Sequence, residues 1–129
     1  MTKKKGFTLL DSLIAVIILG ILVSIAVANY IKTKEHILDN DAIANLKGLQ
    51  AAERCYMVDM GTYYPAAGDD SNIATINQYL KVALPSGANR NWDYRVWSSG
   101  CSRATRISDS RTWRLRIAET DPVTGGPCP

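Results

Sequence analysis

Residues 6–31 read GFTLLDSLIAVIILGILVSIAVANYI, and they predict one continuous apolar helix. From Ser12 to Ile31, twenty consecutive residues carry no charge, and most are Leu, Ile, Val or Ala. A helix of this length rises roughly 30 Å, which is the thickness of the hydrocarbon core of a bilayer. Lysines flank the run at positions 3–5 and again at Lys32 and Lys34. The stretch therefore predicts a single membrane-spanning helix.

The order of residues around Gly6 differs from that of a secretory signal. Such a signal has a short apolar core followed by a small-residue cleavage site. Here the basic tail comes first and ends in Gly6, and the apolar run follows it. Cleavage after Gly6 would leave the hydrophobic helix on the remaining chain.

The segment KKKGFTLLDSLIAVIILG, residues 3–20, resembles the class III signal of type IV pilins and the related pseudopilins. This resemblance implies that a prepilin peptidase cuts between Gly6 and Phe7, and that Phe7 becomes an N-methylated terminus. It also implies three parts of the chain. These are a leader at 1–6, a transmembrane and filament-core half of the helix at 7–31, and a globular head at 32–129.

The same resemblance assigns Thr8 and Asp11 to assembly. In the family, a Glu five residues past the cut pairs with the terminal ammonium of a neighbouring subunit. Asp11 holds that position here with a side chain one methylene shorter. The alternative is that Asp11 lies at headgroup level and pairs with nothing. Gly20 interrupts the apolar helix at a cost of about 1 kcal/mol against Ala, and the family implies that the helix melts there.

Apolar residues continue at helical spacing beyond Ile31, so the same helix should extend to about residue 60 with one face on the head. Gly61 is a natural helix terminator, and Pro65 bars continuation. The residues of the predicted face are Leu38, Ala42, Leu46, Leu49, Glu53, Tyr56 and Met60.

The rest of the chain predicts a small sheet, which makes the fold α+β. Residues 66–72 should form a loop, and a short helix at 73–81 should follow, capped by Ser71 or Asn72. Three alternating runs, at 92–97, 103–107 and 113–117, indicate a three-stranded antiparallel meander with one apolar face on the helix. The Pro- and Gly-rich tail at 120–129 should lack regular structure.

Three cysteines allow one intramolecular bridge. Cys101 begins the second predicted strand, beside the end of the third strand from which the tail carrying Cys128 departs, so Cys101–Cys128 is the favoured pair. Cys55–Cys101 is the rival, because it would clamp the sheet to the helix. A buried, unpaired Cys55 is the remaining possibility, since a free cysteine packs as a small apolar residue.

Charge and motif content favour neither catalysis nor nucleic-acid binding. The fifteen lysines and arginines, less three in the leader, equal the twelve acids. Acids nevertheless dominate residues 35–80 and arginines residues 88–117, so copies of the head could attract one another; a surface of mixed sign is the alternative. Residues 69–72, DDSN, offer oxygen ligands for calcium but lack an EF-hand spacing. We expect no metal, no cofactor and no enzymatic activity.

The leading hypothesis is therefore a structural subunit of a type IV pilus. It would form a helical homopolymer and depend on the prepilin peptidase and on pilus or type II secretion assembly machinery. The helix would cross the inner membrane once, with the head in the periplasm, before joining an extracellular filament. The alternative is a pseudopilin of a type II secretion or competence system. A nucleic-acid-binding pilus subunit, using the arginine-bearing sheet, is a third hypothesis, but no nucleic-acid partner is expected.

Overall fold

The long helix α1 is the first element of the computed structural model, which describes residues 6–129. By their internal contacts the described residues form two units, one ending at Ile37 and one beginning at Leu38. The fold is α+β, as predicted. The elements are α1 (Leu9–Met60), β1 (Asp69–Asp70), α2 (Ile73–Leu80), β2 (Trp92–Trp97), β3 (Cys101–Arg106), β4 (Thr112–Arg116) and β5 (Val123–Thr124).

The first unit consists of the apolar part of α1. It contains the one segment in residues 6–129 that is long and apolar enough to cross a membrane, and none of that segment is buried in the protein. Two of its hydroxyl side chains bond to carbonyls of their own helix. Ser24 donates its hydroxyl to the carbonyl of Gly20 at 2.8 Å, and Thr33 donates to the carbonyl of Asn29 at 2.9 Å. Such bonding lets a hydroxyl sit in apolar surroundings without an unsatisfied donor.

In the second unit, one face of α1 is buried. The predicted face is confirmed at Ala42, Leu46, Leu49 and Glu53. It is wrong at Met60, which is 64% exposed. Met60 is the last helical residue, and Gly61 follows with a φ of 76°, so no further turn of the helix exists to pack beside it.

The sheet contains the predicted meander at its centre and one further strand at each edge. Its order is β1-β2-β3-β4-β5, and every neighbouring pair is antiparallel. The edge strands correct two predictions, because β1 lies in the predicted loop and β5 in the predicted unstructured tail. Each edge strand has two residues, which is too short to produce an alternating pattern.

The central strands present their alternate residues to the core. Trp92, Tyr94 and Val96 of β2 are buried, as their spacing predicts. The bounds of β3 differ from the predicted run at 103–107, since the strand begins at Cys101 and ends at Arg106. Ile107 is exposed because it follows the alternation of Arg103 and Thr105, which face away from the core. The core-facing residues of β3 are those paired with Val96, Tyr94 and Trp92, namely Ser102, Ala104 and Arg106.

Helix α2 closes one side of the core. The Asn72 side-chain oxygen accepts from the backbone N–H of Ala74 at 3.0 Å and of Thr75 at 3.4 Å, so Asn72 is the cap. The helix ends at Leu80, one residue earlier than predicted, because Lys81 adopts a left-handed conformation. The buried apolar cluster comprises Ala42, Leu46, Leu49, Tyr64, Ile73, Ile76, Leu80, Leu84, Trp92, Tyr94, Val96, Ala104 and Leu115.

A disulfide joins Cys101 to Cys128, which confirms the favoured pairing, with 5.8 Å between the two Cα atoms. The rival pairing, Cys55–Cys101, is wrong, because Cys55 is unpaired. Cys55 is also exposed rather than buried. The bridge fixes the tail at the start of β3, and the Ser99 hydroxyl donates to the carbonyl of Pro129 at 3.1 Å.

Removing this bridge should destabilise the head. For the 27-residue separation, Cys128→Ser should lower the free energy of unfolding by roughly 3–4 kcal/mol, because the unfolded chain regains conformational freedom. Urea unfolding of the full chain in detergent micelles, followed by tryptophan fluorescence, measures the change. Cys55→Ser is the matched control and should shift stability by less than about 0.5 kcal/mol. Equal losses in the two variants would contradict the role of the bridge.

Candidate assembly site

Thr8 and Asp11 form a reciprocal cap at the start of α1. Thr8 donates its backbone N–H to Asp11 Oδ2 at 3.2 Å and its hydroxyl to the same oxygen at 2.9 Å. The backbone N–H of Asp11 in turn donates to Thr8 Oγ1 at 3.3 Å. This is the geometry of a capping box, and the positive end of the helix dipole favours a carboxylate there. The sequence resemblance assigns both residues to assembly. It does not predict the cap, although the spacing of Thr8 and Asp11 in T-L-L-D is that of a capping box.

The cap uses only one of the two oxygens of Asp11. Within residues 6–129, Oδ1 accepts no hydrogen bond, and the residue is exposed. A carboxylate beside apolar surroundings is costly unless it is paired or hydrogen-bonded. The arrangement therefore orients one oxygen and leaves the other available for a cation from outside the chain.

Gly6 and Gly20 are not required by any packing within the described chain. A β-carbon at either position would meet no heavy atom within 4 Å. Helix α1 runs through Gly20 without a break. Phe7 is exposed beside Gly6. Packing within the described chain does not explain these two glycines, and the roles in processing and melting remain predictions.

The apolar surface that follows the cap is fully exposed. An unbroken surface of this size marks a contact with a membrane or with other proteins. Its large side chains are Leu9, Leu10, Leu13, Ile14, Val16, Ile17, Ile18, Leu19, Ile21, Leu22, Val23, Ile25, Val27, Tyr30 and Ile31.

In the head, a buried carboxyl joins α1 to the loop that follows it. Glu53 is 1% exposed, and its Oε2 accepts from the backbone N–H of Tyr64 at 2.8 Å. Its Oε1 is buried with no hydrogen-bond partner in the described chain. Burial outweighs the hydrogen bond from Tyr64 and raises the pKa of Glu53 to about 7. The helical periodicity placed Glu53 on the buried face, but it gave no sign of this contact.

Tyr64 anchors the same loop through its ring and its hydroxyl. The ring stacks on Tyr79 with 5.0 Å between centroids and meets Tyr56 edge-on at 5.7 Å. The hydroxyl donates to Asp70 Oδ2 at 2.7 Å, and the Thr75 hydroxyl donates to the same oxygen at 2.6 Å. Burial, followed by the bond to Asp70, raises the pKa of Tyr64 to about 12.

The oxygens considered for calcium are engaged by protein groups. Burial alone would raise the pKa of Asp70, but hydrogen bonds from Thr75, the Asn72 N–H and Tyr64 outweigh it and lower that pKa. Asp69 forms an ion pair with Arg95 at 3.2 Å. Among residues 6–129 there is no cluster of three or more His, Cys, Asp or Glu side chains with the geometry to hold a metal.

Ion pairs connect the first half of the head with the second half. Arg111 bonds to Asp39 at 3.2 Å, and Arg95 bonds to Asp69 at the same distance. Lys47 of α1 bonds to Asp121 of the tail at 2.7 Å. Part of the charge segregation along the sequence is therefore neutralised within the folded head.

Residues 1–27 match the prokaryotic N-terminal methylation motif. Over 67 residues the chain is 34% identical to the type IV major pilin protein PilA of Myxococcus xanthus. Over 63 residues it is 38% identical to the type II secretion system core protein G of Vibrio cholerae, and 33% identical to that of Klebsiella pneumoniae. The alignments span about half of this chain and 30%, 43% and 45% of these relatives.

The chain thus carries the methylation motif in the segment that bears its exposed apolar helix. The motif and the relatives together fit the type IV pilin and pseudopilin family. The relatives are consistent with a pilin and with a pseudopilin.

Ionisation of Glu53 should make the head less stable at neutral pH than in mild acid. The folded-state pKa of about 7 lies above the ordinary value of 4.5, so the folded chain binds this proton more tightly than the unfolded chain does. The resulting stabilisation, about 3 kcal/mol, is present below the unfolded pKa and is lost as the pH rises to the folded pKa. Glu53→Gln should therefore remove the decline in stability between about pH 4.5 and pH 7.

Urea unfolding of the full chain at several pH values measures this effect. Asp59→Asn, which alters an exposed carboxylate of the same helix, is the control and should retain the decline. A Glu53→Gln chain with the pH dependence of the unaltered chain would contradict the assignment.

Proposed function

We propose that this chain is a structural subunit of an extracellular type IV pilus filament. The observation that carries the proposal is the exposed apolar surface of α1, which begins directly after a cap holding a carboxylate. Such a surface needs an apolar environment at every stage. The bilayer would provide it before assembly, and neighbouring copies of the same helix would provide it in the filament. At roughly 25 cal/mol per Å², covering this surface strongly favours association once the helix has left lipid.

The pairing of Asp11 with a neighbouring N-terminus would set the register of assembly. Thr8 holds Oδ2, which leaves Oδ1 to accept from the terminal ammonium of Phe7 in another subunit. An ion pair in apolar surroundings requires the correct partner, since an unpaired charge there is costly. The cap would therefore orient the carboxylate, and the apolar surface would supply the driving force. The role of the subunit is structural, and we assign it no catalytic residue.

Before assembly, the chain would sit in the inner membrane with α1 spanning it once and the head in the periplasm. The apolar segment has the length and composition for a span, and the disulfide of the head suits an oxidising compartment. A prepilin peptidase would remove residues 1–6, and Phe7 would then be N-methylated. Gly6 favours this because a residue without a β-carbon lets the protease approach the backbone.

Cleavage should fall between Gly6 and Phe7. Mass spectrometry of protein recovered from cells should show Phe7 as the first residue, carrying one additional methyl group. Gly6→Val should block cleavage, because a β-branched side chain would stand at the scissile bond, whereas Gly20→Val should leave cleavage unchanged. Assembled filaments that retain Met1 would contradict this assignment.

Two variants separate the capping role of Asp11 from an assembly role. Asp11→Asn keeps an oxygen to accept from Thr8 but removes the charge, whereas Thr8→Ala removes the hydroxyl cap but keeps the carboxylate. If pairing between subunits matters, Asp11→Asn should reduce filament yield by tenfold or more and Thr8→Ala by much less, since a cap contributes only about 1 kcal/mol. Sheared-filament yield from cells, normalised to membrane-bound subunit, measures both. The opposite ranking would mean that Asp11 serves only as a cap.

A pseudopilin of a type II secretion system is the second candidate. It is favoured by the similarity to core protein G of several bacteria. A pseudopilin would form a short filament that does not extend from the cell surface, whereas a pilin would form long surface filaments. Electron microscopy of cells expressing the chain from its own locus distinguishes the two. Loss of protein secretion on deletion, without loss of surface filaments, would favour the pseudopilin.

A further inference from the structure

Three arginines lie in one row across the outward face of the sheet. Arg95 of β2 is paired in register with Arg103 of β3, and Arg103 is paired with Arg114 of β4. Like charges directly opposite each other destabilise a sheet. Each member of the row therefore needs a compensating group.

Two of the three arginines are neutralised by carboxylates. Arg95 bonds to Asp69 Oδ2 at 3.2 Å, and Arg114 bonds to Glu119 Oε1 at 3.2 Å. Arg103 has no carboxylate partner within the described chain. Its guanidinium donates to the carbonyl of Gly126 at 3.0 Å and lies 5.2 Å from the centre of the Trp97 ring. Arg103 is thus the cation of the row whose charge remains available to an anion from outside.

Arg103 lines a cleft of about 510 Å³ on this face, together with Ser71, Asp93, Trp97 and Thr105. This volume lies within the range of sites for small ligands. A second cleft, of about 420 Å³, shares Arg90 and Tyr94 with the first. The second cleft is lined by Asp41 and by amide side chains, which are Asn45, Asn89 and Asn91.

The two clefts offer different chemistry. In the first, Arg90 is paired with Asp93 at 2.6 Å and Arg95 with Asp69, so among the residues described, Arg103 is the one cation of this cleft without a carboxylate partner. In the second cleft, Asp41 forms no ion pair with residues 6–129. The side-chain amides of Asn89 and Asn91 make no hydrogen bond with these residues either. The first cleft suits one negative charge, and the second suits neutral groups that both donate and accept hydrogen bonds.

We propose that these adjoining clefts bind an acidic saccharide, with the carboxylate of a uronic-acid unit at Arg103 and an adjacent neutral sugar among Asn89, Asn91 and Asp41. Sugar hydroxyls both donate and accept, as this mixture of amides, hydroxyls and carboxylates requires. The guanidinium of Arg103 recognises the carboxylate by a charge-assisted hydrogen bond.

Nucleic acid fits the same surface less well. A nucleic-acid strand carries one negative charge on every phosphate, and its binding depends on several neutralised phosphates. Among residues 6–129, the clefts contain one cation without a carboxylate partner, Arg103, and Asp41 would repel the next phosphate. The ion pairs of Arg90 and Arg95 would also have to break before these residues could contact further phosphates.

The test uses the full chain in detergent micelles and isothermal titration calorimetry. The probe is 4-O-methylglucuronosyl-xylobiose, a trisaccharide with one carboxylate, and xylotriose is its neutral counterpart. We expect the acidic probe to bind at least tenfold more tightly than xylotriose, because only the acidic probe has a carboxylate that can accept a charge-assisted hydrogen bond from Arg103. Arg103→Gln should remove this difference.

Arg116→Gln is the matched control. It removes the same charge from the same sheet, and Arg116, like Arg103, donates to a tail carbonyl, that of Pro127 at 3.5 Å, but it does not line either cleft. It should leave the affinity for the acidic probe within about twofold. Equal losses of affinity in the two variants would mean that binding depends only on net charge, and would overturn the proposal. Equal affinity for the two trisaccharides, or no binding at millimolar concentration, would also overturn it.

Two further measurements keep the proposal testable. If Arg103→Gln loses the near-ultraviolet circular dichroism of the folded head, the exposed pair Asn89→Ala and Asn91→Ala replaces it. That double variant should weaken both trisaccharides about equally, and unchanged affinities would contradict the second cleft. A thymidine hexanucleotide that saturates the chain at lower concentration than the acidic trisaccharide would assign the surface to nucleic acid instead.

Discussion

The packing of one face of α1 against the inward face of the sheet is the interaction on which the head depends. Ala42, Leu46 and Leu49 are fully buried in the same apolar cluster as the inward residues of β2. Hydrogen bonds reinforce this contact along its length. The Trp92 indole donates to the carbonyl of Leu38 at 2.9 Å at one end, and Gln50 donates to the carbonyl of Arg116 at 2.7 Å further along. Burial supplies most of the free energy, and these bonds fix the register between helix and sheet.

In contrast to the apolar contact between α1 and the sheet, the junction after α1 is built from polar groups. Glu53 accepts from the backbone N–H of Tyr64, and the Tyr64 hydroxyl donates to Asp70, the last residue of the edge strand β1. Asp70 also accepts from the backbone N–H of Asn72, just before α2. A buried carboxyl with one unpartnered oxygen lowers stability at neutral pH. The loop gains a defined path in return, since its backbone N–H groups at Tyr64 and Asn72 both find acceptors.

The N-terminal turn of α1 resolves an apparent conflict between two roles for one residue. A carboxylate that only capped its own helix would have no reason to attract a neighbour, and one that only paired with a neighbour would be unsatisfied before assembly. Asp11 does both in the proposed scheme, because the two bonds from Thr8 converge on the same oxygen. The Asp11 carboxylate lies in the first turn, where the positive end of the helix dipole favours a negative charge.

The sequence by itself determined the features that depend on local pattern. An uncharged run of twenty residues can only be an apolar helix, and alternation at 92–97 can only bury Trp92, Tyr94 and Val96. Tertiary structure decided what depends on partners distant in the chain. The two-residue strands β1 and β5 form because β2 and β4 offer unpaired edges, and the arginine row exists because strand register brings Arg95, Arg103 and Arg114 into line. The environment of Glu53 is likewise set by a loop eleven residues away, so no helical period could reveal it. Local propensity acts over a few residues, whereas register and burial are fixed only when the whole chain has packed.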